Sequence, residues 1–250
     1  RRASRGVTPT AAGRELAQSV ATHVDALEGA LDTSLGALDS IGETVHIGGP
    51  EEFLSELVLP ELLPQVEEGL RVRMFFGTDT PIVAKLAAGE LDLAILTADL
   101  RQRGVETQQL CFEYLELVGT PKWRDRLHGL QEGPAGADLL RGVPIAAYDE
   151  DLPLVREYWQ SVFASTELLR GTLVANGLRA CLQFARRDAG ITVLPSHTAA
   201  AAIAQGDLVR LLEPAAPPRS MLYLAWRSGS LRRVSLARVH EGIRSAAEAW

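Results

Sequence analysis

Acidic residues stand where helices are predicted to begin, and carboxylates at such positions can bind a cationic ligand. They are Glu51, Glu52, Asp79, Asp149, Glu150 and Asp151. If several of them point toward a shared cavity, their field favours a ligand that carries an amine or another cation. If they only complement helix dipoles, each stabilises its helix by about 0.3–1 kcal/mol and says nothing about the ligand. The residues alone leave both interpretations open.

The backbone N–H groups at the same helix starts can bind a carboxylate instead, as helix amino ends commonly do. The candidate ligand contacts lie in loops that follow predicted strands, and they are Gly49, Pro50, Glu51, Thr78, Asp79, Thr97, Tyr148, Asn176 and Pro195. Thr80, Asn176 and Ser196 are also good helix N-caps. A purely structural role is therefore the alternative for these three positions.

Other reactive residues do not form a recognisable centre. The five histidines show no metal-ligand spacing with each other or with the two cysteines. Cys111 and Cys181 are far apart in the sequence, so we interpret them as buried thiols rather than as a redox switch. Catalytic serine elbows, phosphate-binding glycine loops and paired catalytic carboxylate motifs are absent from the sequence. The sequence predicts no cofactor, no metal site and no enzymatic activity.

Two glycine-marked apolar segments indicate the elements that must position the candidate contacts. They are Gly89-Glu-Leu-Asp-Leu-Ala-Ile-Leu96 and Ala189-Gly-Ile-Thr-Val-Leu-Pro195. A run that is apolar at nearly every position is typical of a strand buried on both faces, and a helical pattern precedes each run. We therefore predict two α/β halves. Ligands of such folds bind outside the carboxyl ends of the parallel strands, so a cleft between the halves is the expected site.

The order of the predicted elements is β-α-β-α-β, the parallel arrangement, in each half. The predicted strands lie at 44–48, 70–76, 92–96, 105–110, 114–118, 143–147, 172–175, 191–194, 206–211 and 221–226, and the helices at 51–67, 81–88, 153–163, 177–187, 196–205 and 234–250. We predict that 44–120 and 225–250 form the first lobe and 121–224 the second. The chain would then cross between the lobes twice.

Residues 10–41 form one long helical pattern ahead of the two lobes. Its apolar positions alternate spacings of four and three, which is a heptad seam: Val20, Val24, Leu27, Leu31, Ser34, Leu38 and Ile41. A helix of this length is about 45 Å long, which exceeds a typical core helix. The seam favours a dimerisation helix; the alternative is a helix packed on its own body.

The charge of the chain is uneven. The net charge is −7 over 250 residues, yet Arg1, Arg2, Arg5 and Arg14 all precede the first acidic residue, Glu15. A basic arm on an acidic body predicts contact with an anion such as a DNA phosphate, through Arg1, Arg2 and Arg5. A solvated tail is the alternative. The sequence contains no apolar run of membrane-spanning length and no signal peptide, and its scarce cysteines fit a reducing cytoplasm.

The order of five motifs resembles the LysR-type transcriptional regulators along essentially the whole chain. Arg5-Gly-Val-Thr-Pro-Thr-Ala-Ala-Gly13 is similar to the end of their DNA-binding wing and the start of their linker helix. His46-Ile-Gly-Gly49 with Leu59-Pro-Glu-Leu-Leu63 resembles the opening of their effector-binding domain. Three further landmarks match in order, namely Gly89-Glu-Leu-Asp-Leu-Ala-Ile95, Gly190-Ile-Thr-Val-Leu-Pro195 and Gly206-Asp-Leu-Val209.

The resemblance implies a ligand-responsive regulator of promoter DNA in the cytoplasm. Residues 1–9 would end the wing, 10–43 would form the linker and dimerisation helix, and the two lobes would form an effector-binding domain similar to periplasmic solute-binding proteins. A small effector would shift a homodimer or homotetramer on DNA. The recognition helix of the family would precede Arg1, so this chain by itself is not expected to read bases. A solute-binding protein of a transport system is the alternative, and an enzyme on the same scaffold is a third interpretation.

Overall fold

A computed structural model describes residues 43–250 except Leu168, together with Arg2, Ala3, Gly6, Val7, Thr10, Ala12, Gly13, Leu16, Ser19, Val20 and Val24. Arg2–Ala3 (β1) and Gly6–Val7 (β2) pair antiparallel, with Arg2 opposite Val7. Every described residue from 12 to 24 is helical. The rest of the helix predicted at 10–41 lies outside the described residues, as do Arg1 and Arg5.

The chain divides into two compact units, each of α/β architecture, which confirms the predicted fold class. Unit 1 comprises Arg1–Leu54, Val58–Leu110 and Tyr223–Trp250, and unit 2 comprises Ser55–Leu57 and Cys111–Leu222. Apart from the short stretch Ser55–Leu57, the chain leaves unit 1 within one long strand and returns to it within another. None of the helices in the described ranges is long and apolar enough to cross a membrane.

Unit 1 is built on a sheet whose strand order is β4-β3-β5-β11. Its elements are β3 (Thr44–Gly49), helix α1 (Glu51–Phe53 and Leu59–Glu67, with a π-helical turn at Leu54–Val58), β4 (Arg71–Phe76), α2 (Asp79–Ala88), β5 (Leu93–Leu96) and, at the carboxyl end, β11 (Arg219–Arg227), a 3-10 turn (Ser230–Arg232) and α8 (Val234–Ala246). β3 is parallel to both β4 and β5, whereas β11 is antiparallel to β5.

The apolar runs explain why the central strands of unit 1 are buried. All six residues of β3 and all four of β5 are buried, as expected for strands covered on both faces. Helix α2 covers one face through Ile82, Val83 and Leu86. It ends at Gly89, whose φ of 80° is the left-handed conformation that glycine adopts most easily. The crossover from β4 through α2 to β5 thus places consecutive strand ends at one edge.

Unit 2 is built on a second sheet, of order β6-β9-β7-β8, with β10 paired to β6. Its elements are β6 (Val105–Gly119), α3 (Pro121–Arg126), α4 (Pro134–Leu139), β7 (Ile145–Ala147), α5 (Pro153–Phe163), β8 (Leu173–Val174), α6 (Leu178–Arg186), β9 (Ile191–Pro195), α7 (Ser196–Ala204) and β10 (Val209–Arg210). β7 is parallel to β8 and β9, and β6 is antiparallel to β9. Tyr158, Trp159 and Phe163 of α5 fill one core of this unit.

Two differences from the sequence-based expectation have simple causes. The strands predicted at 105–110 and 114–118 are one continuous strand, β6. Leu110, Cys111 and Phe112 are apolar in succession, which interrupts the alternation, but the intervening Cys-Phe-Glu contains no turn-forming residue that would end a strand. Helices α3 and α4 were not predicted, since six residues are too few to show a helical period. Each of them begins with a proline, which fits the first helical turn.

Candidate ligand-binding edges

The carboxyl ends of three parallel strands of unit 1 lie at one edge of its sheet. In the register of β3 and β4, Gly49 is opposite Phe76, and β3 also runs parallel to β5. The amide of Gly77 donates to the carbonyl oxygen of Gly49 at 3.1 Å, which ties the first two loops together. The structure thereby brings together five of the predicted contacts on neighbouring loops, namely Gly49, Pro50, Glu51, Thr78 and Asp79. Thr97 follows β5 directly.

Gly49 is required by close packing at this edge. A Cβ atom at this position would lie 2.9 Å from the carbonyl oxygen of Ile95, and φ is +155°. A backbone atom cannot move aside as the end of a side chain can. The sequence identified Gly49 as a ligand contact, and the structure shows a packing reason for glycine at the same position.

Asp79 and Thr97 are joined to each other by hydrogen bonds. The Thr97 amide donates to both oxygens of the Asp79 carboxylate, at 3.1 and 3.0 Å. The Thr97 hydroxyl donates to Oδ2 at 3.0 Å, and the amide of Ala98 donates to Oδ2 at 2.9 Å. The carboxylate of Asp79 therefore binds the loop after β5 to the start of α2.

The remaining predicted acids have separate local roles. Glu51 and Glu52 lie in the first turn of α1, where a negative charge stabilises the helix dipole. The Asp149 carboxylate accepts a hydrogen bond of 2.8 Å from the amide of Asp151, as in an Asx turn. The first turn of α5 holds no acidic residue. The position that the dipole interpretation requires is thus found for Glu51 and Glu52 but not for the acids before α5.

The three predicted N-caps are wrong. The N-cap of α2 is Thr78 rather than Thr80, that of α6 is Gly177 rather than Asn176, and that of α7 is Pro195 rather than Ser196. None of these helices has a side-chain cap hydrogen bond. Each helix starts one or two residues away from the polar residue that was expected to cap it, because strand pairing fixes where the preceding strand ends. The side chains of Thr78 and Asn176 are exposed and do not act as caps.

Unit 2 has a corresponding edge where β7, β8 and β9 end in parallel. Tyr148 follows β7 and packs against a buried cluster that includes Cys181 and Ala199. Burial raises the pKa of Tyr148, and nearby carboxylates, including those of Asp149 and Glu113, add to the rise. Its phenol is therefore neutral at physiological pH. Asn176 is exposed at this edge, whereas Pro195 is buried at the end of β9.

Two residues of this edge were missed by sequence reasoning. Nδ1 of His197, at the start of α7, lies 3.9 Å from Oε1 of Glu113, which is on β6. Both side chains are nearly buried, at 10% and 13% exposure, and burial lowers the pKa of His197 to about 4. The ring is thus neutral at pH 7. No motif connects these residues, because their contact depends on the antiparallel pairing of β6 with β9.

Within the described ranges, the cysteine thiols and the side chains that could bind a metal ion form no further candidate site. The predicted lobe boundaries, 44–120 and 121–224, separated the two cysteines, but both lie in unit 2. Cys181 is fully buried, but Cys111 is only half-buried, and burial together with the charge of Glu113 raises its pKa to about 11. Of the residues that the structure describes, no three His, Cys, Asp or Glu side chains are grouped to hold a metal ion.

The opposite edge of the unit 1 sheet carries a charged network around the buried carboxylate of Asp92. Both Oδ atoms of Asp92 are bonded: the amide of His46 donates to one at 2.8 Å and Arg233 Nη1 to the other at 2.6 Å. Arg233 also donates from Nε to Glu43 at 2.6 Å and from Nη2 to the carbonyl oxygen of Thr44 at 3.2 Å. Burial alone would raise the pKa of Asp92, but the His46 hydrogen bonds and the Arg233 charge bring it below the ordinary value.

Comparison with known proteins places the chain in a family. A family model described as the LysR substrate binding domain matches residues 39–248. The chain is 39% identical over 252 residues to the HTH-type transcriptional regulator AbaB of Streptomyces antibioticus, covering 100% of this chain and 83% of that protein. It is 26% identical over 243 residues to PtxR of Pseudomonas aeruginosa, covering 97% and 77% of the two chains.

Solved structures share the fold. ArgP from Mycobacterium tuberculosis matches with a TM-score of 0.71 at 18% identity, over 98% of this chain and 81% of that one. LysG from Corynebacterium glutamicum, solved with its effector Arg bound, matches with a TM-score of 0.67 at 19% identity, over 97% and 80%. The five motifs, the two α/β units and the matching family model agree. The chain belongs to the LysR-type transcriptional regulators, and it carries their effector-binding domain.

Proposed function

We propose that the small-molecule effector of this regulator binds at the carboxyl edges of the parallel strands described above. One observation carries the proposal. In each unit three parallel strands end at the same edge of the sheet, and α/β folds bind ligands at such edges. The contacts on unit 1 would come from Gly49, Pro50, Glu51, Thr78, Asp79 and Thr97. Those on unit 2 would come from Tyr148, Asn176 and Pro195.

We further propose that the effector carries an amine. Glu51 is exposed at the start of α1, and Asp79 is partly buried at the start of α2, so both carboxylates follow strands that end at the unit 1 edge. At the unit 2 edge, Tyr148 is close enough to Glu113, Asp149 and Glu157 for their charges to raise its pKa. Negative charge near both edges would attract a cationic group. The structural neighbour LysG was solved with Arg as its effector, which is consistent with an effector of this class.

The effector would act by changing the state of an oligomer that is bound to promoter DNA. Leu16, Val20 and Val24 are helical and spaced four residues apart, and these residues are 64%, 43% and 42% exposed. An exposed apolar stripe on a helix supports a self-association face in a homodimer or homotetramer. The effector shifts the DNA-bound state only if it binds two arrangements with different affinity.

Promoter DNA would be bound through segments at the amino end. The matched relatives are named HTH-type regulators, and this chain covers 83% and 77% of two of them, so part of each lies outside the match. Arg1, Arg2 and Arg5 would contact phosphates, as basic residues commonly do. A regulator that acts on promoter DNA would work in the cytoplasm, with no enzymatic step of its own.

Calorimetric titration tests the effector proposal. The 250-residue chain is titrated with free amino acids, polyamines and simple carboxylates. We expect an amine-bearing compound to bind, and Thr78→Ala and Asn176→Ala each to weaken it about tenfold, or roughly 1.4 kcal/mol. Neither side chain caps its helix, so folding should be unaffected. Thr107→Ala, whose hydroxyl bonds to Asp99 at 3.1 Å, is the control.

Two outcomes would contradict the proposal in different ways. If only carboxylates that lack an amine bind, the amine assignment is wrong while the location survives. If a compound binds wild type, Thr78→Ala and Asn176→Ala equally well, the effector lies elsewhere in the chain.

A further inference from the structure

The loop after β5 holds a small cradle of hydrogen-bond donors. The amides of Thr97 and Ala98 and the hydroxyl of Thr97 converge on one carboxylate, with four donor–acceptor distances between 2.9 and 3.1 Å. Successive backbone N–H groups that point at one place form a concavity that binds anions. Charge-assisted hydrogen bonds of this kind are roughly twice as strong as neutral ones. The loop is therefore an anion site by its geometry.

The anion in that site belongs to the protein. The carboxylate is that of Asp79, which is contributed by the first turn of α2. We propose that Asp79 is a built-in anion that occupies the donor cradle of Thr97 and Ala98 and so determines the class of effector at this edge. An effector that reaches the carboxyl edge of unit 1 then meets it through a neutral or cationic group. This inference deepens the proposed function and rests on the effector binding at this edge.

The donors explain why an external carboxylate is excluded. Both amides and the hydroxyl already donate to Asp79, so a second carboxylate would find no unused donor among these three groups. It would also approach a fixed negative charge at short range, which disfavours binding. A cationic or neutral donor group meets the opposite situation. Oδ1 of Asp79 shares the Thr97 amide with Oδ2, so this oxygen can accept a further hydrogen bond, and the carboxylate attracts positive charge. Asp79 thus acts as a specificity-determining residue rather than as a cap.

Removing the carboxylate should uncover the anion site. In Asp79→Ala the three donors lose their acceptor, and we expect the thermal midpoint Tm to fall by about 5 °C. Sodium acetate is the probe, titrated against sodium chloride at equal ionic strength. Acetate should restore Tm in a saturable way, with half-saturation on the order of 10 mM, a weak affinity typical of so small a ligand. Wild type should show no saturable acetate effect.

Matched variants separate anion binding from general salt effects. Asp79→Asn places an amide oxygen in the same cradle, so acetate should not raise its Tm. Asp99→Ala removes an exposed carboxylate that bonds only to the Thr107 hydroxyl in the described contacts, and it should resemble wild type. If Asp79→Ala does not fold in chloride, recovery of the native circular dichroism spectrum in acetate is the same test.

The result that would overturn the proposal is a folded Asp79→Ala that acetate and chloride affect equally. A saturable rise of Tm with acetate in wild type or in Asp79→Asn would overturn it too, because the occupied cradle would then admit an external anion. Failure of the proposed function is seen separately. It would appear as absence of any effector binding by wild type, whereas the acetate experiment requires neither an effector nor DNA.

Discussion

The two edges of the unit 1 sheet both depend on an aspartate that accepts backbone hydrogen bonds, but the two carboxylates lie in different surroundings. Asp92 is 7% exposed and is paired with Arg233 at the edge where β3 and β5 begin. Asp79 is only partly buried and has amide and hydroxyl partners in one loop at the edge where the strands end.

This difference indicates that the two edges of one sheet differ in the free energy needed to open them. A buried carboxylate that loses its partner leaves other buried groups unsatisfied, so the amino edge is costly to open. At the carboxyl edge Thr78, Thr97 and Ala98 are exposed, so water can replace part of the contacts that are lost there. Ligand-responsive loops are expected at the end of lower local stability.

Replacing Asp92 tests the fixed edge and should have the largest effect. Asp92→Ala removes the acceptor of the buried His46 amide and the partner of Arg233, so we expect a loss of about 3–4 kcal/mol in the free energy of unfolding. Urea denaturation followed by circular dichroism measures it. Asp99→Ala, an exposed aspartate of the same unit, should change stability by less than about 0.5 kcal/mol. Equal losses in the two variants would show that the Asp92 network does not hold the amino edge.

The dependence of stability on pH extends the comparison to the carboxyl edge of unit 2, where His197 lies. The pKa of His197 is lowered by burial to about 4, from an ordinary value of 6.5. An unfolded chain therefore binds a proton at higher pH than the folded one. The stability from the neutral ring is complete above pH 6.5 and is lost as pH falls toward 4, by about 2–3 kcal/mol at most. His197→Gln should flatten this part of the pH–stability curve; an unchanged slope would place the titration elsewhere.

Substitution of Gly49 and of Gly77 should give the smallest changes in stability. Comparing the two shows where the backbone at the carboxyl edge of unit 1 is rigid. Gly49→Ala would place a methyl group 2.9 Å from the Ile95 carbonyl oxygen, and we expect a loss of about 2 kcal/mol. Gly77→Ala meets only Ile82 at 3.7 Å, an ordinary contact, and should lie within about 0.5 kcal/mol of wild type. Thermal unfolding of both variants decides the point. A harmless Gly49→Ala would mean that the backbone of this edge yields easily.

Patterns of apolar residues predicted most of the fold. The buried runs at β5 and β9, with helices before them, gave the α/β class and the placement of strand ends. Short helices such as α3 and α4 escaped prediction because a single turn and a half carries little periodicity. The prediction divided β6 into two strands because the alternation of apolar and polar residues is interrupted at Cys111, although no residue there ends the strand.

The candidate edges were predictable only in part, for a physical reason. The sequence located the loops through Gly49, Thr78 and Asn176, because strand ends follow from local pattern. It did not show which polar groups satisfy one another, such as Asp79 with Thr97 or His197 with Glu113. The two members of each pair come from different strands and loops, so their spacing in the sequence does not predict the contact.

The sequence by itself determined the α/β class, the family and the positions of the strand-end loops, because hydrophobic period and glycine placement are local properties. Only the tertiary structure decided that Arg233 joins Glu43 and Asp92 and that Asp79 occupies the loop after β5. Parallel pairing brings distant segments to one edge, and the hydrogen bonds that form there depend on distances of a few ångströms. Such distances are fixed by packing, not by order along the chain.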